Sequence, residues 1–236
     1  MKSLQQWLEM IRQKEFGKDN TEGKKELVVM VGPPAIGKST YVAAKYPRCS
    51  VVTVSKDDIV DSVARDMGLT YDDMFAAPPK ETPIGEDVPG MEKLGSVVRC
   101  PSWMPFYKNC YERVARGNRL INDMLESSFR RAVTSGKHVV VDMTNMNAAA
   151  RSKALAYAEG HDFFRRAVVF TMEDSDLPAL IRRMEERAER ARKAGWTKTI
   201  GEDVLTRMIS SYQAVSPAEG FDRVDAYKSF QPMPAG

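Results

Sequence analysis

The segment Glu26–Ser39, ELVVMVGPPAIGKS, constrains this chain more tightly than any other. Its first six residues are a nearly continuous apolar run, the pattern of a central strand buried on both faces, and the run stops at Gly32. Gly32–Ser39 then satisfies the eight-position pattern GxxxxGK[ST], and Lys38–Tyr46 continues with helical spacing. Glycines at both ends of the loop let the backbone turn sharply and approach a ligand closely. Amides at the start of the following helix are left facing outward, where the helix dipole favours an anion.

A triphosphate meets those requirements, so the segment predicts an ATP-binding loop formed by Gly32, Ala35, Ile36, Gly37, Lys38, Ser39 and Thr40. Lys38 would neutralise the β- and γ-phosphates, and the Ser39 hydroxyl would bind magnesium. Pro33 and Pro34 lack amide hydrogens, but the phosphate-facing amides come mostly from later positions, so the prolines stiffen the loop.

A second strand is expected over Ser50–Ser55, ending at Lys56-Asp57-Asp58; strand, helix and strand within about thirty residues make a βαβ unit. Further strands are expected at His138–Asp142 and Ala167–Thr171. Helices are expected over 107–133, 147–159, 176–194 and 202–215; the third of these is rich in arginine. This alternation predicts an α/β fold of the P-loop NTPase class, kinase-like, with a parallel sheet flanked by helices and an Arg-rich lid helix. Ser3–Glu15 has helical spacing and is followed by the polar stretch Gly17–Lys25, so residues 1–25 read as an N-terminal helix and linker. Residues 26–236 read as one kinase domain, interrupted at about 70–105 by an irregular insertion that holds six of the thirteen prolines.

At 236 residues, with 43% hydrophobic and 28% charged residues, the chain can bury a single large core. It contains no apolar run of about eighteen residues, and its N-terminus mixes charge through the apolar positions, so no membrane anchor or export signal is expected. Three cysteines without metal-ligand spacing suit a reducing, cytoplasmic setting. The net charge of +3 permits a polyanionic partner without requiring one. His138 and His161, which begin a strand and occupy a turn, carry no catalytic assignment.

In open α/β sheets the ligand lies beyond the carboxyl ends of the strands, which directs attention to Asp57, Asp58, Asp142, Thr144 and Asn145. A kinase acting on an alcohol needs a carboxylate within reach of the acceptor hydroxyl, to take its proton and aim its oxygen. Asp57 is the first candidate for that base; helix capping is the competing reading for one of the Asp57–Asp58 pair. Asp142, after three valines, occupies the position of a magnesium-holding acid together with Ser39. Thr144 and Asn145 are either substrate contacts or turn residues.

Together GPPAIGKST, the KDD after the second strand, Val140–Asn147 with its V-x-D-x-T-N-x-N pattern, and the arginine-rich helix leading to GEDVLTRM resemble the bacteriophage polynucleotide kinase family. The resemblance covers about Glu26 to Tyr212. It implies that Asp57 is the general base, that Lys38 and Ser39 are phosphate-loop residues, and that Arg187, with Arg183 one turn earlier, stabilises the transferring phosphoryl group. Pairs such as Glu186–Arg190 and Glu189–Lys193 would occupy the solvated side of the same helix.

The resemblance implies an ATP- and Mg2+-dependent kinase for a hydroxyl of nucleic acid, DNA in preference to RNA, most simply the 5′-hydroxyl of a polynucleotide end. Family members that act on ends carry an arginine three residues after the base, where this chain has Val60. That departure, with the insertion and its aromatics Trp103, Phe106 and Tyr107 beside Lys108, Arg113 and Arg116, suits the related phage kinases that phosphorylate 5-hydroxymethyluracil in DNA. A small-molecule kinase and an ATP-driven switch are the remaining alternatives. No protein partner is inferred.

Overall fold

The computed structural model describes residues 13–75, 105–172, 176–194 and 198–229; for 105–115 and Asp73 only the backbone is described. Residues 3–12 of the predicted N-terminal helix, most of the insertion and Trp103 lie outside these residues, as do the side chains of Phe106, Tyr107, Lys108 and Arg113; Gln13–Glu15, expected as the end of that helix, are not helical.

Six strands form one sheet: β1 (Phe16–Gly17), β2 (Glu26–Val31), β3 (Val51–Val54), β4 (His138–Val141), β5 (Phe164–Thr171) and β6 (Arg223–Lys228), in the spatial order β1-β6-β5-β2-β4-β3. All neighbours run parallel except β1, which pairs antiparallel with β6 through Phe16 and Gly17. The helices are α1 (Lys38–Lys45), α2 (Lys56–Asp66), α3 (Pro105–Val133), α4 (Ala148–Ala156), α5 (Leu177–Lys193) and α6 (Glu202–Ser210). This is the P-loop kinase-like α/β fold expected from the sequence.

All six residues of β2 are buried, because the strand pairs with β4 on one side and β5 on the other while both its faces are covered. Val28 and Met30 face one core with Val140, Val168, Phe170, Leu180, Leu205 and Ile209. Leu27, Val29 and Val31 face the other with Val139, Val141, Val169, Phe129 and Leu155. Successive side chains of a strand point to opposite faces, so one apolar run serves two cores. The strands β1 and β6 escaped the sequence reading: β6 (RVDAYK) lacks an apolar run, and a two-residue strand has no periodicity.

Helix α3 passes Gly117 without interruption because tertiary contacts favour the glycine. A Cβ there would come within 2.5 Å of Met74 Cε and 2.9 Å of Met67 Sδ. Those methionines belong to a third cluster, with Ile59, Val60, Val63, Tyr71 and Ile121, that seats α2 against α3. It therefore also places the first turn of α2, which carries Asp57.

Candidate active site

The chain leaves β2 for β3 on one side of it and returns to β5 on the other, so the carboxyl end of β2 lies at a switch point of the sheet. There the phosphate loop begins: Gly32 donates its amide to the Thr144 carbonyl at 3.0 Å, joining the loop to the segment after β4. A side chain at Gly32 would meet Phe170 Cβ at 3.0 Å and Ile36 Cγ2 at 3.2 Å, so no larger residue fits without movement. Ala35 has φ 60° and Gly37 φ 111°, and this alternation of handedness turns successive amides toward one concavity. Ile36 is buried in the core and anchors the loop from behind.

Lys38 is only 8% exposed, and its ammonium donates to the Gly32 and Pro33 carbonyls at 2.9 and 2.8 Å. Burial pushes its pKa down to about 8; the charges of Asp142 and Asp57 oppose the fall, and Arg187 adds to it. Ser39, in the first turn of α1, donates its hydroxyl to Asp142 Oδ2 at 2.8 Å. Asp142 in turn is held just after β4, where its backbone amide donates a hydrogen bond to the Val54 carbonyl at 3.0 Å.

A hydroxyl beside a carboxylate, both hard oxygen donors next to a phosphate cradle, is a donor set that fits magnesium, which takes few protein ligands and completes its shell with phosphate oxygens and water. Among the described residues no group of three His, Cys, Asp or Glu forms a separate metal cage. Ser39 and Asp142 are thus the residues that would hold the ion.

Asp57 lines the same cleft, a space of about 1860 Å³ that Lys38, Ser39, Thr40, Asp58, Asp142, Thr144, Arg183 and Arg187 also line. Its Oδ1 accepts from the Tyr71 hydroxyl at 3.0 Å, and its Oδ2 accepts from Arg187 Nη2 at 3.2 Å with Lys198 Nζ 3.5 Å away. Burial alone would raise the Asp57 carboxyl, but Lys198, Arg187 and the Tyr71 hydroxyl outweigh it and hold the group below its ordinary value. The phenol of Tyr71 is pushed well up by burial and by Asp57 itself, so at neutral pH it is a donor. Neither aspartate caps α2: the cap is Ser55, whose hydroxyl accepts from the Asp58 amide at 3.2 Å. Asp57 is therefore free of that duty and Asp58 is exposed in the cleft.

Arg183 and Arg187 reach the cleft from one face of α5, and Arg183 Nη1 is 3.9 Å from where a Cβ on Gly37 would stand. Two i,i+4 pairs lace this helix, Glu189 with Lys193 at 2.9 Å and Glu186 with Arg182 at 3.8 Å; Glu186 and Arg190, expected on the solvated side, both line the cleft.

Asn145, expected as either a substrate contact or a turn residue, takes the position of a turn residue. It is 3% exposed, at φ 44°, and its side-chain amide donates to the Met30 carbonyl at 2.8 Å, inside the sheet. It locks the turn after β4 onto β2, while neighbouring Thr144 lines the cleft. The same turn is gripped from below by fully buried Arg151, which donates to the Asn145 and Met146 carbonyls and pairs with Glu219. Val60 is 1% exposed and belongs to the cluster between α2 and α3.

Tyr71 and Lys198 were not found by the sequence reading. Both lie outside periodic segments, and only tertiary folding brings residues 127 positions apart together: the Lys198 ammonium sits 4.2 Å from the centre of the Tyr71 ring. Asp61 was legible in principle, being one helical turn beyond Asp57.

A search among curated proteins finds no match. Among solved structures the chain is similar to a candidate kinase from Chloroflexus aurantiacus J-10-fl, with 15% identity over 87% of this chain and 88% of that one and a TM-score of 0.51. It is also similar to a gluconokinase from Sinorhizobium meliloti 1021, with 16% identity, coverage of 88% and 84%, and a TM-score of 0.43. A family model described as an AAA domain, AAA_33, matches residues 27–215, a stretch that holds the phosphate loop, both acidic strand ends, α5 and Lys198. The chain belongs to the AAA_33 family.

Proposed function

We propose that this protein transfers the γ-phosphate of ATP to a hydroxyl of a nucleic acid, most simply the 5′-hydroxyl of a polynucleotide end. The observation that carries the phosphotransfer to a hydroxyl is Asp57, a carboxylate held below its ordinary value in one cleft with the Lys38, Ser39 and Asp142 group. In the transfer, the acceptor oxygen bonds to the γ-phosphorus, the bond to the β-bridging oxygen breaks, ADP leaves, and the acceptor proton passes to Asp57. Lys38 and the loop amides hold the phosphates. Arg187, paired with Asp57 in the free protein, exchanges that carboxylate for the phosphoryl group and leaves the base open to the acceptor. Magnesium, when bound by Ser39 and Asp142, supplies charge neutralisation at the phosphate oxygens.

Support for a polyanionic acceptor comes from Arg48, Lys56, Arg190 and Arg207 along the cleft walls and from the resemblance noted above. A second reading, phosphorylation of the hydroxymethyl group of 5-hydroxymethyluracil within DNA, is favoured by Val60. Buried in an apolar cluster, it offers no charge to a terminal phosphate.

The test offers γ-labelled ATP and magnesium with a 5′-hydroxyl oligonucleotide, an end-blocked duplex containing 5-hydroxymethyluracil, and gluconate, with Asp57→Asn as control. Label on the oligonucleotide supports the first reading, and label on the blocked duplex supports the second. Label on gluconate alone, or on none, sinks both.

A further inference from the structure

Lys198 follows the lid helix in sequence, yet its side chain is only 4% exposed and points back beneath the base. Its ammonium donates to Asp61 Oδ2 at 3.1 Å and stands 3.5 Å from Asp57 Oδ2, with the Tyr71 ring closing a third side at 4.2 Å. The adjoining Thr199 amide donates to Asp72 Oδ1 at 2.8 Å, so the segment is fastened at two successive residues. Two carboxylates one helical turn apart thus share one buried cation, and Asp61 Oδ1 is itself buried with no hydrogen-bond partner.

One of these two carboxylates is the candidate base, and the lysine reaches it from the segment that follows α5 in sequence. We infer that Lys198 is a positioning residue for phosphoryl transfer: its bridge between Asp57 and Asp61 keeps the base carboxylate ionised and aimed, and ties the end of the lid to α2.

The inference rests on Asp57 being the base of the proposed reaction. The groups facing Asp57 are Asp61 from its own helix, Tyr71 from the following turn, Arg187 from α5, Lys198, and more distantly Lys38. When Arg187 moves to the phosphate, Lys198 is the cation that stays. Without it, Asp57 and Asp61 are like charges in a half-buried site, and one of them takes a proton.

The carboxyl titration of Asp57 is therefore to be followed by carbon NMR in the full chain without nucleotide or acceptor, its signal assigned by loss in Asp57→Asn. Lys198→Met is expected to move the Asp57 midpoint up by about one unit or more, Asp61→Asn to move it down, and Lys198→Arg to restore it. The acidic limb of the kcat/KM profile should move in the same directions. An Asp57 midpoint that stays put in Lys198→Met, or a fall in kcat with the limb unmoved, overturns the inference. If Lys198→Met does not fold, Asp61→Asn decides alone, an unmoved or raised midpoint being the overturning result. Because the titration needs no acceptor, failure to label nucleic acid counts against the proposed function and not against this role of Lys198.

Discussion

Ser39 Oγ donates to Asp142 Oδ2 across 2.8 Å, joining the first helical turn after the phosphate loop to the residue that follows β4. The pair fits a single hydrated divalent ion bridging phosphate oxygens, so its two members should fail together. Ser39→Ala and Asp142→Asn are each expected to weaken apparent magnesium affinity by on the order of tenfold to a hundredfold. The double variant should lose little more than the worse single one, as expected of residues that share one ligand. Magnesium dependence of ATP turnover in the four proteins, with chelator abolishing it in all, is the measurement.

Arg187 and Asp57 are both more than a third exposed, so their 3.2 Å contact contributes little to folding. Arg187→Lys should leave the thermal midpoint nearly unchanged while lowering kcat by on the order of a hundredfold or more, because an ammonium cannot present a planar fork to the phosphoryl oxygens. Calorimetry beside steady-state kinetics separates the two effects; a fall in both would make the residue structural.

Lys38 gives a pH dependence of known sign. In the free protein its pKa is lowered to about 8 by burial, whereas a bound triphosphate favours the charged form and raises it. Above pH 8 the complex therefore holds a proton that the free protein lacks, and ATP affinity should fall as pH rises. Isothermal titration at pH 7 and pH 9, in buffers of differing ionisation enthalpy, should show weaker binding and proton uptake at the higher pH. Lys38→Met should bind ATP weakly and without that uptake.

The turn after β4 should respond as structure and not as substrate contact. Asn145→Ala removes the bond to the Met30 carbonyl and leaves alanine at φ 44°, which should cost about 1 to 3 kcal/mol. KM for acceptor and for ATP should stay as they are. Arg151→Met strands Glu219 and two carbonyls and should cost about 3 to 5 kcal/mol. Denaturant unfolding monitored beside kinetics checks both.

The contrast between Asp142 and Asn145 shows how far residue patterns reach. Both follow the same valine run, and both have side chains suited to a ligand. The acid faces the loop because β4 ends where α1 begins; the amide turns inward because its backbone takes a left-handed conformation and the Met30 carbonyl needs a donor. Periodicity carries no information about a single turn residue, so this distinction was not available before folding.

What the sequence by itself determined is the local machinery: a buried strand, a glycine-bounded loop and a helix within fourteen residues, whose spacing and chemistry demand a phosphate. It also determined the parallel sheet around that strand, since alternating strands and helices leave few other ways to bury so many valines. Only the tertiary structure decided the setting of the base. Asp57 is held by Tyr71, Arg187 and Lys198 from three separate segments, and it is their charges, set against burial, that keep it ionised. Long-range electrostatics of this kind depends on distances across the fold, which sequence order does not contain.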